Sequence, residues 1–118
     1  MNPVPADDAA TGPGKIGRMT TVQLRRYWFE PGHLADFTAW FPSLLPAREQ
    51  YGFRVLFALG DGEGETFTWA VAHEGDPAAF EEAEAAYNSS PERAAVFETF
   101  PGHIAKKEIG FADDVLAG

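Results

Sequence analysis

Two adjacent arginines, Arg25 and Arg26, stand in a run of strand-forming residues and must therefore face opposite sides of it. Arg25 shares its face with Tyr27, while Arg26 lies with Leu24 and Trp28. A guanidinium beside a phenol can hold an enolate or carboxylate, with Tyr27 donating a hydrogen bond. The competing account is an ion pair with Glu74, Glu108 or an acid of a partner chain, since charge near a covered surface is expensive unless paired. His73 closes a later apolar run in phase with Phe67, Trp69 and Val71, at the rim of an aromatic surface. An imidazole there suits proton transfer, or simply a hydrogen-bonded strand end. His73, Arg25 and Tyr27 are the candidate catalytic residues. Trp69, Trp28, Phe41 and Tyr87 are the candidate substrate-binding residues, set against the commoner fate of large rings, which is to fill a core.

Other chemistries find less support. The histidines His33, His73 and His103 fall in separate elements without metal-ligand spacing, so no metal site and no cofactor are expected. The acidic, glycine-rich stretch Gly60 to Glu65 joins two strands rather than a strand and a helix. Its acids would repel phosphate, and the rest of a calcium loop is missing, which leaves a plain hairpin. Without cysteine there is no disulfide, thiolate ligand or thiol nucleophile. A net charge of −9, with no basic cluster, disfavours nucleic acid and anionic membrane as partners.

These residues need elements to position them, and 118 residues allow one domain. Thr20 to Phe29, Phe53 to Leu59, Thr66 to His73 and Ile104 to Phe111 read as strands. Leu34, Phe37, Phe41, Leu44 and Arg48 recur at helical spacing, interrupted by Pro42, where the helix must kink or restart. Asp76-Pro77 and Ser90-Pro91 are helix-start signals. The order is the ferredoxin-like βαββαβ, an α+β fold with a four-stranded antiparallel sheet and its helices on one face.

The pattern places Phe53, Val55, Phe57 and Leu59 on one face of the second strand, with Leu56 and Ala58 on the other. A sheet apolar on both faces needs cover on both, and a second copy is the economical source, so a homodimer is expected. The domain is expected over 20–112, after a disordered N-terminal extension at 1–19 and before a short tail at 113–118. Met1 to Arg18 carries neither the basic nor the apolar part of a signal peptide, which points to a cytoplasmic location without a membrane span.

Several stretches resemble the NIPSNAP-type branch of the dimeric α/β-barrel superfamily. They are Leu24 to Gly32, Leu45-Pro46 with Tyr51-Gly52-Phe53, Phe67 to Asp76, Tyr87 with Ser90-Pro91-Glu92-Arg93, and His103-Ile104. The resemblance implies two sheets packed face to face in a dimeric α/β-barrel, with a small-molecule pocket between sheet and helices in each protomer. It also implies a choice of activities. The first is a cofactor-independent isomerase, cyclase or monooxygenase-like enzyme acting on an apolar or aromatic metabolite. The others are a non-catalytic ligand-binding protein and a haem-binding member using one histidine.

Overall fold

The computed structural model describes residues 19–116. The expected extension at Met1 to Arg18 lies outside them. Four strands, β1 (Thr20–Phe29), β2 (Arg54–Asp61), β3 (Thr66–Glu74) and β4 (Ile104–Ala112), form one antiparallel sheet in the order β2-β3-β1-β4. Helices fall between β1 and β2 and between β3 and β4, as in a ferredoxin-like α+β fold. Among the described residues no helix is long and apolar enough to cross a membrane.

The two prolines of the first helical segment act as the sequence requires. Helix α1 (Leu34–Trp40) stops before Pro42, a 3-10 turn spans Phe41–Leu44, and α2 (Leu45–Gln50) restarts with Pro46 in its first turn. Gly52 ends the segment at φ 89°, a backbone conformation that glycine adopts without steric cost. The later pair, α3 (Pro77–Asn88) and α4 (Pro91–Phe97), open on caps: Asp76 accepts from the Ala79 amide at 2.9 Å and Ser90 from the Arg93 amide at 3.1 Å.

Alternation along β1 sends Thr21, Gln23, Arg25, Tyr27 and Phe29 toward the helices. Opposite Arg25, Tyr27 and Gln23 on β3 stand Trp69, Phe67 and Val71, all buried. Phe37 is the hub of the core, with ring centroids 4.9 Å from both Phe29 and Phe67 and 5.7 Å from Tyr27. Phe41 extends this packing, 4.8 Å from Phe67 and 5.1 Å edge-on to Trp69. A second aromatic group, Phe53, Phe80 and Tyr87, lies under α3.

One expectation about the sheet is overturned. The register of β2 against β3 shifts between Val55 and Phe57, so Leu56 is an extra residue in a β-bulge. A single inserted residue reverses the facing of everything after it. Val55 stays on the helix side opposite Val71, but Phe57 and Leu59 pair with Ala70 and Thr68 and point outward. The open face of the sheet therefore carries Leu24, Phe57 and Leu59, each at least 40% exposed.

Candidate functional site

The helix-covered face of the sheet holds a concentration of charge that an apolar core would not ordinarily carry. Arg25 rises from the middle of β1, where its Nε donates to the Tyr27 hydroxyl at 2.8 Å and one terminal nitrogen donates to Gln23 Oε1 at 2.7 Å. The same nitrogen reaches Glu84 Oε2 on α3 at 3.1 Å. Sequence reasoning allowed Glu74 or Glu108 as the partner. Glu74 instead pairs with Arg54, and Glu108 stands opposite Arg26 on the outer face. Glu84 is selected because Phe80, Ala83, Glu84 and Tyr87 form the sheet-facing side of α3, at helical three- and four-residue steps.

A second guanidinium shares that carboxylate. Arg48, in the last turn of α2, is only 4% exposed and lies 3.5 Å from Glu84 Oε2. Its guanidinium carbon is 4.3 Å from the Tyr87 ring centroid, 4.9 Å from that of Phe53 and 5.5 Å from that of Trp69, so three aromatic faces surround the cation. Burial, and then the neighbouring charge of Arg25, push the Arg48 guanidinium below its usual pKa, although arginine stays charged at any ordinary pH. Burial likewise raises the Tyr87 phenol, against the pull of Arg48 and Arg93.

The hydrogen-bond balance is incomplete. Arg48 Nε and its other terminal nitrogen are buried and meet no acceptor among the described residues, and neither does the indole Nε1 of Trp69. Two cations face one carboxylate, with three donor nitrogens of unused capacity around them. Unmade hydrogen bonds at buried charged donors are costly, and an anionic oxygen is the group that would satisfy them. Toward solvent, Arg25 and Glu84 keep side-chain exposures of 14% and 18%. By register, Arg25 stands opposite Ile109 and Gln23 opposite Phe111 on β4, so the accessible edge has an apolar rim.

The structure brings most of the sequence candidates to this place. Arg25, Tyr27, Trp69 and Tyr87 converge on the cluster, with Phe41 packed behind Trp69. Trp28 does not join them. It lies on the opposite face with the even-numbered residues of β1, between the Arg26 guanidinium at 5.2 Å and the Lys106 ammonium at 4.7 Å.

His73 is held apart as well. It faces Thr21, four residues along β3 from Trp69, or roughly 13 Å at the rise of a strand. Its Nδ1 lies 2.7 Å from the Glu74 carbonyl, which can only accept, so Nδ1 carries the proton. Its ring sits 5.0 Å from Phe53, and its Nε2 would be 2.9 Å from any Cβ placed on Gly52. That geometry is of an imidazole packed on a turn.

Sequence reasoning missed Arg48 and Glu84. The signal for Arg48 was present: a charged residue continuing the apolar series Leu34, Phe37, Phe41, Leu44 is a charge on a buried face.

No protein-family model matches the sequence, and neither does any curated protein sequence. Solved structures do match. A NIPSNAP-domain protein from Burkholderia xenovorans superposes with a TM-score of 0.68 at 17% identity, over 81% of this chain and 94% of that one. A NIPSNAP family protein of unknown function from Agrobacterium tumefaciens gives 0.69 at 10%, over 79% and 86%. The chain has the NIPSNAP fold. A cofactor-independent oxygenase from Streptomyces nogalater also matches, with a TM-score of 0.58 at 17% identity over 80% of this chain and 92% of that one. The NIPSNAP fold thus accounts for the layout of sheet and helices. At these identities it assigns no activity to the arginine cluster.

Proposed function

We propose that this protein binds a small apolar or aromatic metabolite through a carboxylate or enolate oxygen, and acts on it as a cofactor-independent enzyme of isomerase, cyclase or monooxygenase-like type. The observation that carries the reading is Arg48, a buried guanidinium with two donor nitrogens that meet no acceptor among the described residues, beside an indole N–H in the same state. In this reading the anion accepts from Arg48 and Trp69, while Arg25 and Glu84 set its approach. The apolar part of the molecule lies along Ile109 and Phe111. Tyr27, whose hydroxyl accepts from Arg25, keeps its own proton to donate to the oxygen as charge develops there. The similarity in fold to a cofactor-independent oxygenase supports this class of chemistry.

A homodimer in the cytoplasm belongs to the same proposal. A second copy laid on the open sheet face would cover Leu24, Phe57 and Leu59 and close two sheets into a barrel. A second reading, binding without turnover, is favoured by the position of His73, because an imidazole some four residues along the strand cannot exchange a proton with a molecule held at Arg48.

The test is a titration of tryptophan fluorescence with a panel of aromatic carboxylates and enolisable phenols. Saturable quenching is expected with acids and not with the matching methyl esters. Arg48→Met should abolish it while the protein remains folded, and Trp69→Phe should weaken binding measured calorimetrically. Equal binding of acids and esters, or full binding by folded Arg48→Met, would overturn the proposal. Turnover of any acid that binds separates enzyme from binding protein.

A further inference from the structure

The sequence contains the tripeptide Pro-Gly-His twice, at Pro31 to His33 and at Pro101 to His103, and the fold brings the two copies together. The first follows β1 and leads into α1; the second leads into β4. The Glu30 amide donates to the His103 carbonyl at 3.0 Å, so the two turns are joined through the backbone. Gly32 and Gly102 turn at φ 86° and 76°. These turns swing the imidazoles of His33 and His103 face to face, with centroids 3.6 Å apart and planes inclined by 13°.

Glu30 completes the group. Its Oε1 lies 2.9 Å from His103 Nδ1, and one ligand-type atom from each of Glu30, His33 and His103 falls within 4.8 Å of the other two. His33 Nδ1 is buried and forms no hydrogen bond among the described residues, with Asp36 Oδ2 at 3.9 Å. Neither ring hydrogen-bonds the other. What the group lacks is one electrophile that both nitrogens and the carboxylate can share.

We propose that Glu30, His33 and His103 form a binding site for a late first-row divalent cation, with zinc the natural occupant. Two imidazole nitrogens and one carboxylate oxygen are a ligand set that zinc accepts, with water completing a tetrahedron. Ligands about 2.0–2.2 Å from zinc lie roughly 3.4 Å from one another, so separations that reach 4.8 Å must close by up to roughly 1.4 Å, while the 2.9 Å between Glu30 and His103 opens slightly. The parallel rings must also tilt until both lone pairs converge. The side chains are free to do so, since Glu30, His33 and His103 are 55%, 34% and 45% exposed. The site is separate from the arginine cluster: Glu30, just past the end of β1, is five residues from Arg25, roughly 16 Å at the rise of a strand. A bound cation would tie the start of α1 to the entry of β4, which His33 and His103 now join only by stacking.

The experiment is calorimetric titration of zinc into the metal-stripped full chain, with melting followed in parallel. The expected result is one high-affinity equivalent per chain and a melting temperature that rises with zinc. Cobalt should give the intense visible bands of a tetrahedral site. The informative variant is His33→Asn with His103→Asn. Asparagine suits the helix-cap position of His33 and tolerates the left-handed backbone of His103, at φ 69°, so the fold should persist. That variant should bind zinc at least about a hundredfold more weakly, and Glu30→Gln about tenfold more weakly. If the native chain shows neither heat of binding nor thermal shift, the proposal fails. It fails equally if the double variant, which keeps His73, binds zinc as tightly as the native chain.

Discussion

Each face of the sheet carries, among its ordinary residues, a group that belongs by type on the other. The covered face encloses two guanidiniums and a carboxylate, while the open face displays Leu24, Phe57 and Leu59 to solvent. The adjacent residues Arg25 and Arg26 show the contrast at single-residue resolution. Arg25 is enclosed by Gln23, Tyr27 and Glu84, while Arg26 rests on the ring of Trp28 among exposed neighbours. A charge inside and hydrocarbon outside are both unfavourable in an isolated chain, so each face points to something that would relieve it. For the inner face that is an anion. For the outer face it is another protein surface.

The sharpest way to break this comparison is to unbalance the inner face. Glu84→Gln leaves two buried guanidiniums without a counter-charge and should cost about 3–5 kcal/mol in urea unfolding. Arg48→Met, which replaces the buried cation by a side chain of similar shape, should be neutral or stabilising. A large loss from Arg48→Met would mean that the cation serves the fold and not a ligand. The outer face is tested next, by Leu24→Asp together with Leu59→Asp. Sedimentation of the native chain should give twice 12.8 kDa and that of the variant a single mass. Each leucine removed from an interface should weaken association by about 1.5–3 kcal/mol. A native monomer would end the case for the second copy. The smallest effect belongs to the outer-face pair Arg54–Glu74, separated by 3.1 Å but about half exposed on both sides. Arg54→Ala should shift stability by no more than about 1 kcal/mol. A larger loss would show that the open face is covered more deeply than a free chain allows.

The sequence made the order of elements readable, because local signals dominate it. Pro42, Pro46, Asp76-Pro77 and Ser90-Pro91 mark helix boundaries by steric exclusion and capping, which act within a few residues. Arg25 and Tyr27 were likewise legible as a pair, since strand alternation alone puts them together. What could not be read was long-range. Glu84 becomes the partner of Arg25 through the docking of α3 on β1, at a separation of 59 residues. The His33–His103 stack is closed by the pairing of β4 with β1, which no spacing rule reports. Trp28 stands apart from the cluster for a different reason: an aromatic ring in a strand is recognisable, but the face that a helix will cover is decided elsewhere.

The bulge at Leu56 makes the facing of the open side a matter of backbone geometry. Leu56 is in effect an inserted residue, absorbed so that Val55 still faces the helices opposite Val71 and Phe57 the open side opposite Ala70. Deleting its codon would leave ordinary alternation, with Val55 and Ala58 on the helix side, Phe57 and Leu59 on the open side, and the same partners on β3. The open face would lose only the exposed side chain of Leu56. Straightening the strand with Leu56 kept in the ladder would do the opposite, turning Phe57 and Leu59 toward the helices and bringing Ala58 out. The apolar surface is thus held in place by one local irregularity of the backbone, and not by the order of residue types alone.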